Sequence, residues 1–266
     1  MKRLFILTTA LFISYIKINA QATDVVTGLD GPTMIELKGS DLYVSEFTGD
    51  KVSKIDLTSN TPIATTVVTG VKDPQGLAFN GNDLYISEAN SKKISKVNTS
   101  LPSPTATTFV SGLSLPSDII VIGSELYIGE VGPDHVSKIN LNSIAQTTTT
   151  VATGFNGPYG MAVNGNTLYI ADRNANKIST IDLNANTPLL KDFVTGVNTP
   201  LGITIDGNYL YIAEYGDNTV SRVELNTPNP IVTDIVSGVN GPMGIAVYGT
   251  DPVSYTHLTL PTTPYV

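Results

Sequence analysis

Few side chains in this sequence can do acid–base or metal chemistry. There is no cysteine and there are two histidines, His135 and His257. Thiolate catalysis, thiolate metal sites and Cys-linked lipid anchors are therefore excluded. The recurring chemistry is acidic: Glu46, Glu88, Glu130, Asp172 and Glu214 follow one another at intervals of 42 residues. Five carboxylates on one face could attract a cation or a basic partner. Five residues after each, however, comes Lys51, Lys93, His135, Lys177 or Thr219. Placed across a hairpin, such pairs contribute about 0.2 to 1 kcal/mol each and need no ligand to explain them. We favour this structural pairing, with Glu214, faced by Thr219, as the member freest to act otherwise. His135, in "GPDHVSKI", takes a position that sibling units give to lysine and reads as a surface hairpin residue rather than a general base. No Gly-rich phosphate loop leads into a helix and no Gly-x-Ser-x-Gly elbow is present, so neither phosphate cradling nor a Ser-His-Asp triad is supported.

The elements that position these residues follow from the same interval. Gly28, Gly70, Gly112, Gly154, Gly196 and Gly238 recur every 42 residues, and so do Pro32, Pro74, Pro116, Pro158, Pro200 and Pro242. Tyr43, Tyr85, Tyr127, Tyr169 and Tyr211 keep the same step without insertion or deletion. One copy, "GPYGMAVNGNTLYIADRNANKISTIDLNANTPLLKDFVTG", holds four strand-like runs separated by turn residues. "GMAV" is short and apolar, "TLYIAD" follows the tight turn "NGN", "KISTIDL" is half polar, and "DFVTG" comes last. Apolarity fades outward, as in a blade whose inner strands are covered on both faces. A period near 40 residues with strand chemistry predicts an all-β propeller of four-stranded antiparallel blades, six in number with the last truncated. An orphan outer segment, "TDVVTG" at 23–28, would pair with the last blade and close the ring, removing exposed edges. An open solenoid of the same units is the alternative.

The first residues set the expected compartment. Lys2 and Arg3 precede an apolar run from Leu4 to Ile16 and a short polar end at Ala20-Gln21, the pattern of a secretory signal peptide over residues 1–20. Its "NAQ" ending resembles signal peptides of Bacteroidetes-type bacteria. The protein is thus expected outside the cell or at its surface. The run is too short to span a bilayer, so no membrane insertion is expected. Without Lys2, Arg3 and Lys17, 12 basic residues face 23 acidic ones, a formal charge of −11. Such a surface repels phosphate backbones, which argues against nucleic acid as a partner.

The run shared by "PYGMAVNGNTLYIADRNANKISTID" and "PLGITIDGNYLYIAEYGDNTVSRVE" resembles NHL-type repeats and the six-bladed propellers of the SMP-30/gluconolactonase-like group. It is also similar to the YVTN-type repeats of bacterial surface propellers, usually seven-bladed, and to streptogramin-lyase-like propellers. The resemblance covers residues 24–251 and is specific for fold, whereas propellers host many unrelated functions. It implies a site at the axis, on the face where connections enter the innermost strands. In this chain those connections end in Pro-x-Gly, and the x positions form a ring of Thr33, Gln75, Ser117, Tyr159, Leu201 and Met243. Gluconolactonase-like enzymes place Asn or Asp at matching positions, with a nearby Glu, to hold a divalent metal. The ring here has neither, so Ca2+ is not supported and no cofactor is expected. Lyase-like members use His there, which this ring also lacks. Gln75, Tyr159 and Met243 could line a neutral pocket.

The repeat predicts Leu and Tyr after "VYGTD", but Pro252 and Val253 stand there. "VSYTHLTLPT" reads as a sequencing adapter translated in frame, so residues 252–266, with His257, are expected to be a non-native tail on a propeller spanning 21–251. The sixth unit would then keep "GIAV" at 244–247 and lack its second and third strands. These observations favour a non-enzymatic binding module for a protein, glycan or small molecule, with a lactonase- or lyase-like enzyme acting at the axis as the alternative.

Overall fold

A computed structural model describes residues 22–249, 251–254 and 259–261. The expected signal peptide lies outside the described residues, as do His257 and part of the expected tail. Four consecutive strands make each of five regular blades, at residues 32–69, 74–111, 116–153, 158–195 and 200–237. Within each, every strand pairs antiparallel with the next, from the axis outward. The innermost strands Pro32–Lys38, Pro74–Asn80, Pro116–Ile122, Pro158–Asn164 and Pro200–Asp206 carry the fewest polar side chains because neighbouring blades cover both their faces. They join the second strands through two-residue turns that begin at Gly39, Gly81, Gly123, Gly165 and Gly207. The glycines have φ between +54° and +65°, a conformation open to a residue without Cβ and suited to a tight hairpin.

Six blades were expected, and the structure corrects this to five regular ones. Beside them lies an irregular sheet drawn from both ends of the chain: Ile245–Tyr248, Asp251–Ser254, Thr259–Pro261 and Ala22–Asp24. Its strands have three or four residues, and a single residue pair, Ser254 with Thr259, registers the second against the third. The physical reason is in the sequence: Pro252 stands where the repeat has Leu, opposite Val247, and has no amide hydrogen for a ladder. The second and third strand positions, expected to be empty, are taken by these short segments. All six innermost strands line one axial cavity, so the units close around an axis rather than stacking as a solenoid.

The core lies between blades. Leu42, Leu84, Leu126, Leu168 and Leu210, one per blade, have no exposed surface. Leu77, Leu84 and Ile86 of the second blade pack against Tyr43, Val52 and Val68 of the first. Each large aliphatic side chain so buried contributes about 1.5 to 3 kcal/mol. A polar clasp adds to the seams on one face. The hairpin after the second strand puts Asp50, Lys92, Asp134, Asn176 and Asn218 in the left-handed region, with φ between +50° and +57°. Four of these reach the loop entering the next blade, accepting N–H bonds from Asp73 (3.1 Å), Gly157 (2.7 Å), Thr199 (2.9 Å) and Gly241 (2.7 Å). Lys92 has no side-chain oxygen to offer, although its backbone carbonyl accepts the Leu113 N–H at 3.0 Å. The loop it faces holds Leu115, a side chain that disfavours its φ of +50°.

Candidate functional site

The repeated carboxylates occupy five copies of one environment. Glu46, Glu88, Glu130, Asp172 and Glu214 are each at most 5% exposed. Each accepts a backbone N–H from the loop entering its own blade: Asp30 (2.7 Å), Lys72 (2.8 Å), Ser114 (2.8 Å), Asn156 (2.7 Å) and Asn198 (2.8 Å). Each also accepts a hydroxyl from the third strand, from Ser53, Ser95, Ser137, Ser179 and Ser221. The third partner is the residue directly opposite across the hairpin. Lys51 and Lys93 approach to 3.3 Å, His135 to 3.0 Å through Nε2, and Lys177 to 3.9 Å. Thr219 takes that place opposite Glu214, and its hydroxyl is buried without a hydrogen-bond partner. Burial pushes the carboxyls of Asp172 and Glu214 above the usual range, against the hydrogen bonds they accept. With their oxygens turned to these partners, the five acids join loop, second strand and third strand, and none points to the axis.

The six ring residues divide into two groups. Thr33 and Ser117 turn into seams: Thr33 Oγ1 donates to the Pro74 carbonyl at 3.0 Å, and Ser117 Oγ donates to the Pro158 carbonyl at 2.7 Å. The others meet across the axis. The Tyr159 hydroxyl donates to Gln75 Oε1 at 2.6 Å, joining the fourth blade to the second. Tyr159 and Leu201 pack with Met34, Val131 and Met243 in one apolar cluster. Arg173 stands with its guanidinium 5.9 Å from the Tyr159 ring centroid, and its Nε is buried without a partner. Burial, offset by Arg173 and reinforced by the charge of Asp118, pushes the Tyr159 hydroxyl up to about 12. It therefore acts as a hydrogen-bond donor and not as a base.

This cluster caps the axis instead of opening it, which corrects the expected place of a pocket. The cavity lies behind the cap, has a volume of about 390 Å3 and is walled by the innermost strands. Its wall includes aliphatic residues such as Ile35, Ile119, Ile203 and Val247 together with Glu36, Asp118, Thr204 and Asp206, and the surface it exposes is more polar than apolar. Glu36 and Asp118 lie deep in the protein yet keep part of their surface accessible, as residues facing a lumen do. Asp118 Oδ2 accepts the Met161 N–H at 2.9 Å, and the Ile119 amide also donates to this carboxylate. Burial raises Asp118 to about 7 against those two amides. Burial, and then the charge of Asp118, raises Glu36 to about 8. The lumen thus passes from two neutral acids in mildly acidic solution to two carboxylates in alkali, titrating as a coupled pair.

Sequence reasoning passed over both residues, although a signal was present. Asp118 stands in the column of Met34, Gly76, Gly160, Gly202 and Gly244, and Glu36 in the column of Ala78, Ile120, Ala162, Thr204 and Ala246. The glycines are required by close approach of backbones: a Cβ on Gly160 would lie 2.2 Å from the Leu201 carbonyl oxygen, and one on Gly202 would lie 2.3 Å from that of Met243. A side chain at 118 therefore needs a wider seam towards the fourth blade. Among the described residues no three of His, Cys, Asp and Glu converge as a metal site would require.

Blades of four antiparallel strands around a capped axial cavity define a β-propeller. Solved structures similar to it include a chain of a nidogen/laminin complex, with 18% identity over 80% of this chain and 84% of that one at a TM-score of 0.67. Streptogramin B lyase has 14% identity over 90% and 95%, at 0.64. Virginiamycin B lyase from Staphylococcus aureus has 17% identity over 91% and 99%, also at 0.64. At these identities the likeness is one of fold. No protein-family model and no curated protein matches the chain.

Proposed function

We propose that this chain is an exported binding propeller of the NHL/gluconolactonase-like kind, which takes a small ligand into its axial cavity without transforming it. One observation carries the reading: a cavity of about 390 Å3, closed at one end by the Tyr159–Gln75 and Leu201–Met243 cap, which has the size of a small-molecule site and gathers a few polar groups among aliphatic residues. The carboxylates that recur with the fold are committed to it, and His135 is held by Glu130 away from the axis. The N-terminal pattern Lys2-Arg3, apolar run and Ala20 supports export.

Isoleucine-methyl NMR of the full chain tests the reading, with a panel of small amines, alcohols and sugars as probes. Binding should shift the lumen methyls of Ile35, Ile119, Ile203 and Ile245, and Thr204→Phe, which fills the lumen from a partly exposed lining position, should suppress the shifts. Shifts confined to surface methyls such as Ile63 and Ile231 would place binding on the rim and overturn it.

A second reading, an enzyme at the same axis, is favoured by the paired acids Glu36 and Asp118, whose raised pKa values suit proton transfer near neutrality. Consumption of a lumen-binding probe on prolonged incubation, lost in Glu36→Gln, would favour the enzyme.

A further inference from the structure

We propose that the cavity receives a small aliphatic ammonium ion, held between the carboxylates of Glu36 and Asp118 with its alkyl chain against the aliphatic wall. This deepens the binding reading above and rests on it. Four observations support it. First, Glu36 has no hydrogen bond or ion pair with any described residue, whereas each of the five repeated carboxylates has two or three partners. Second, the fold does not need an acid there, because sibling blades carry Ala78, Ile120, Ala162, Thr204 and Ala246. Third, Asp118 replaces a glycine at a seam where glycine permits the closest backbone approach, so the carboxylate is present despite the packing. Fourth, the lining contains three acids, Glu36, Asp118 and Asp206, and no lysine, arginine or histidine. The nearest cation of the cap, Arg173, is turned to the Tyr159 ring.

The chemistry of the lumen selects the ligand. A hard divalent cation takes six or more oxygens, and among the described residues no three acidic or imidazole side chains converge to begin such a set. An ammonium needs about three acceptors, which the free oxygens of Glu36 and Asp118 can provide, and its alkyl chain gains from the Ile, Val and Ala side chains. Asp206, in the fifth blade and the last residue of its innermost strand, adds negative potential at the uncapped end. Entry of the cation favours the ionised pair. The Glu36 carboxyl gives its proton to solvent, and the resulting carboxylate accepts N–H bonds from the ammonium. The groups that face this site are Glu36, Asp118 and Asp206 from the lining, with Tyr159 and Arg173 behind the cap.

Titration calorimetry of the full chain tests this with n-pentylammonium chloride and with n-pentanol as its neutral counterpart. At pH 7 it is run in phosphate and in Tris, whose different ionisation enthalpies report proton release. The ammonium should bind with release of up to about one proton, and its affinity should rise by up to about tenfold per pH unit between pH 6 and 8. Pentanol should bind at least about tenfold more weakly and release none. Glu36→Gln, and separately Glu36→Ala, which installs a sibling residue, should each weaken the ammonium about tenfold or more and cut proton release to what Asp118 alone supplies, while leaving pentanol unchanged. Equal affinities for amine and alcohol, or unchanged proton release in both variants, would overturn the proposal. Entry of pentanol alone would overturn it and leave the binding reading standing, whereas failure of every probe to enter would overturn both.

Discussion

The protein carries two sets of buried carboxylates, and they differ in whether the repeat needs them. The five at the ends of the second strands see the same loop amide, the same serine and, in four cases, a lysine or histidine, so their desolvation is offset by local partners in every copy. Glu36 and Asp118 are the one charged member each of an alanine-rich and a glycine-rich column, and the cavity lining holds no protein cation. In a repeat protein, a charge that recurs answers a need of the unit. A charge that occurs once belongs to what this particular chain does.

Substitution can break that contrast. The largest effect is expected for Glu88→Ala, which strands the Lys72 amide, the Ser95 hydroxyl and Lys93 at a fully buried point. Urea unfolding should show a loss of about 3 to 5 kcal/mol, with pentylammonium binding retained in whatever fraction stays folded. Glu36→Gln should do the reverse. The folded-state pKa of about 8 lies above the ordinary 4.5, so the folded protein holds this proton more tightly. Its contribution is fully present below about pH 4.5 and is lost as pH rises towards 8. The variant should match the parent near pH 4 and exceed it near pH 9 by on the order of 3 kcal/mol. A parent whose stability is flat from pH 5 to 9, set against the variant, would remove Glu36 from the set of costly acids. Asp118→Asn should act in the same direction over a window that ends near pH 7.

Two smaller effects sharpen the comparison among the repeated sites. Lys92→Asn places an acceptor where four other hairpins have one, at a φ of +54° that Asn tolerates, and should stabilise by about 1 kcal/mol. Thr219→Lys gives Glu214 its missing cation and removes a buried hydroxyl without a partner. A gain of about 0.5 kcal/mol in thermal unfolding at pH 7 should vanish near pH 3, where the carboxyl is protonated.

The contrast also explains what the sequence made legible. Glu46 facing Lys51 and Glu130 facing His135 were readable because hairpin register follows directly from an unbroken 42-residue step. The loop amides 16 residues upstream were not, since only folding brings the entry loop over the strand end. Of the six ring positions, Thr33 and Ser117 turn into seams and the others form a cap, because the length of Tyr159 lets it cross from the fourth blade to Gln75 in the second. Glu36 and Asp118 were overlooked because a consensus drawn across blades averages away single departures, and nothing in a strand's own sequence says that a lumen lies beside it. The five-blade regularity failed to extend to a sixth where Pro252 enters, a local chemical reason that the repeat could not override.

The seams between blades differ in how they will come apart. A ring held only by contacts between neighbours opens at the junction where the fewest bonds must break. Between the second and third blades Lys92 offers no side-chain clasp, and Leu115 sits in a backbone state that it would leave readily. Among the seams between the regular blades, amide exchange should therefore be fastest in the loop that carries Leu115. Asp118 lies three residues further along the same strand entry, so local opening of this loop and the fluctuations of the cavity wall share one stretch of chain.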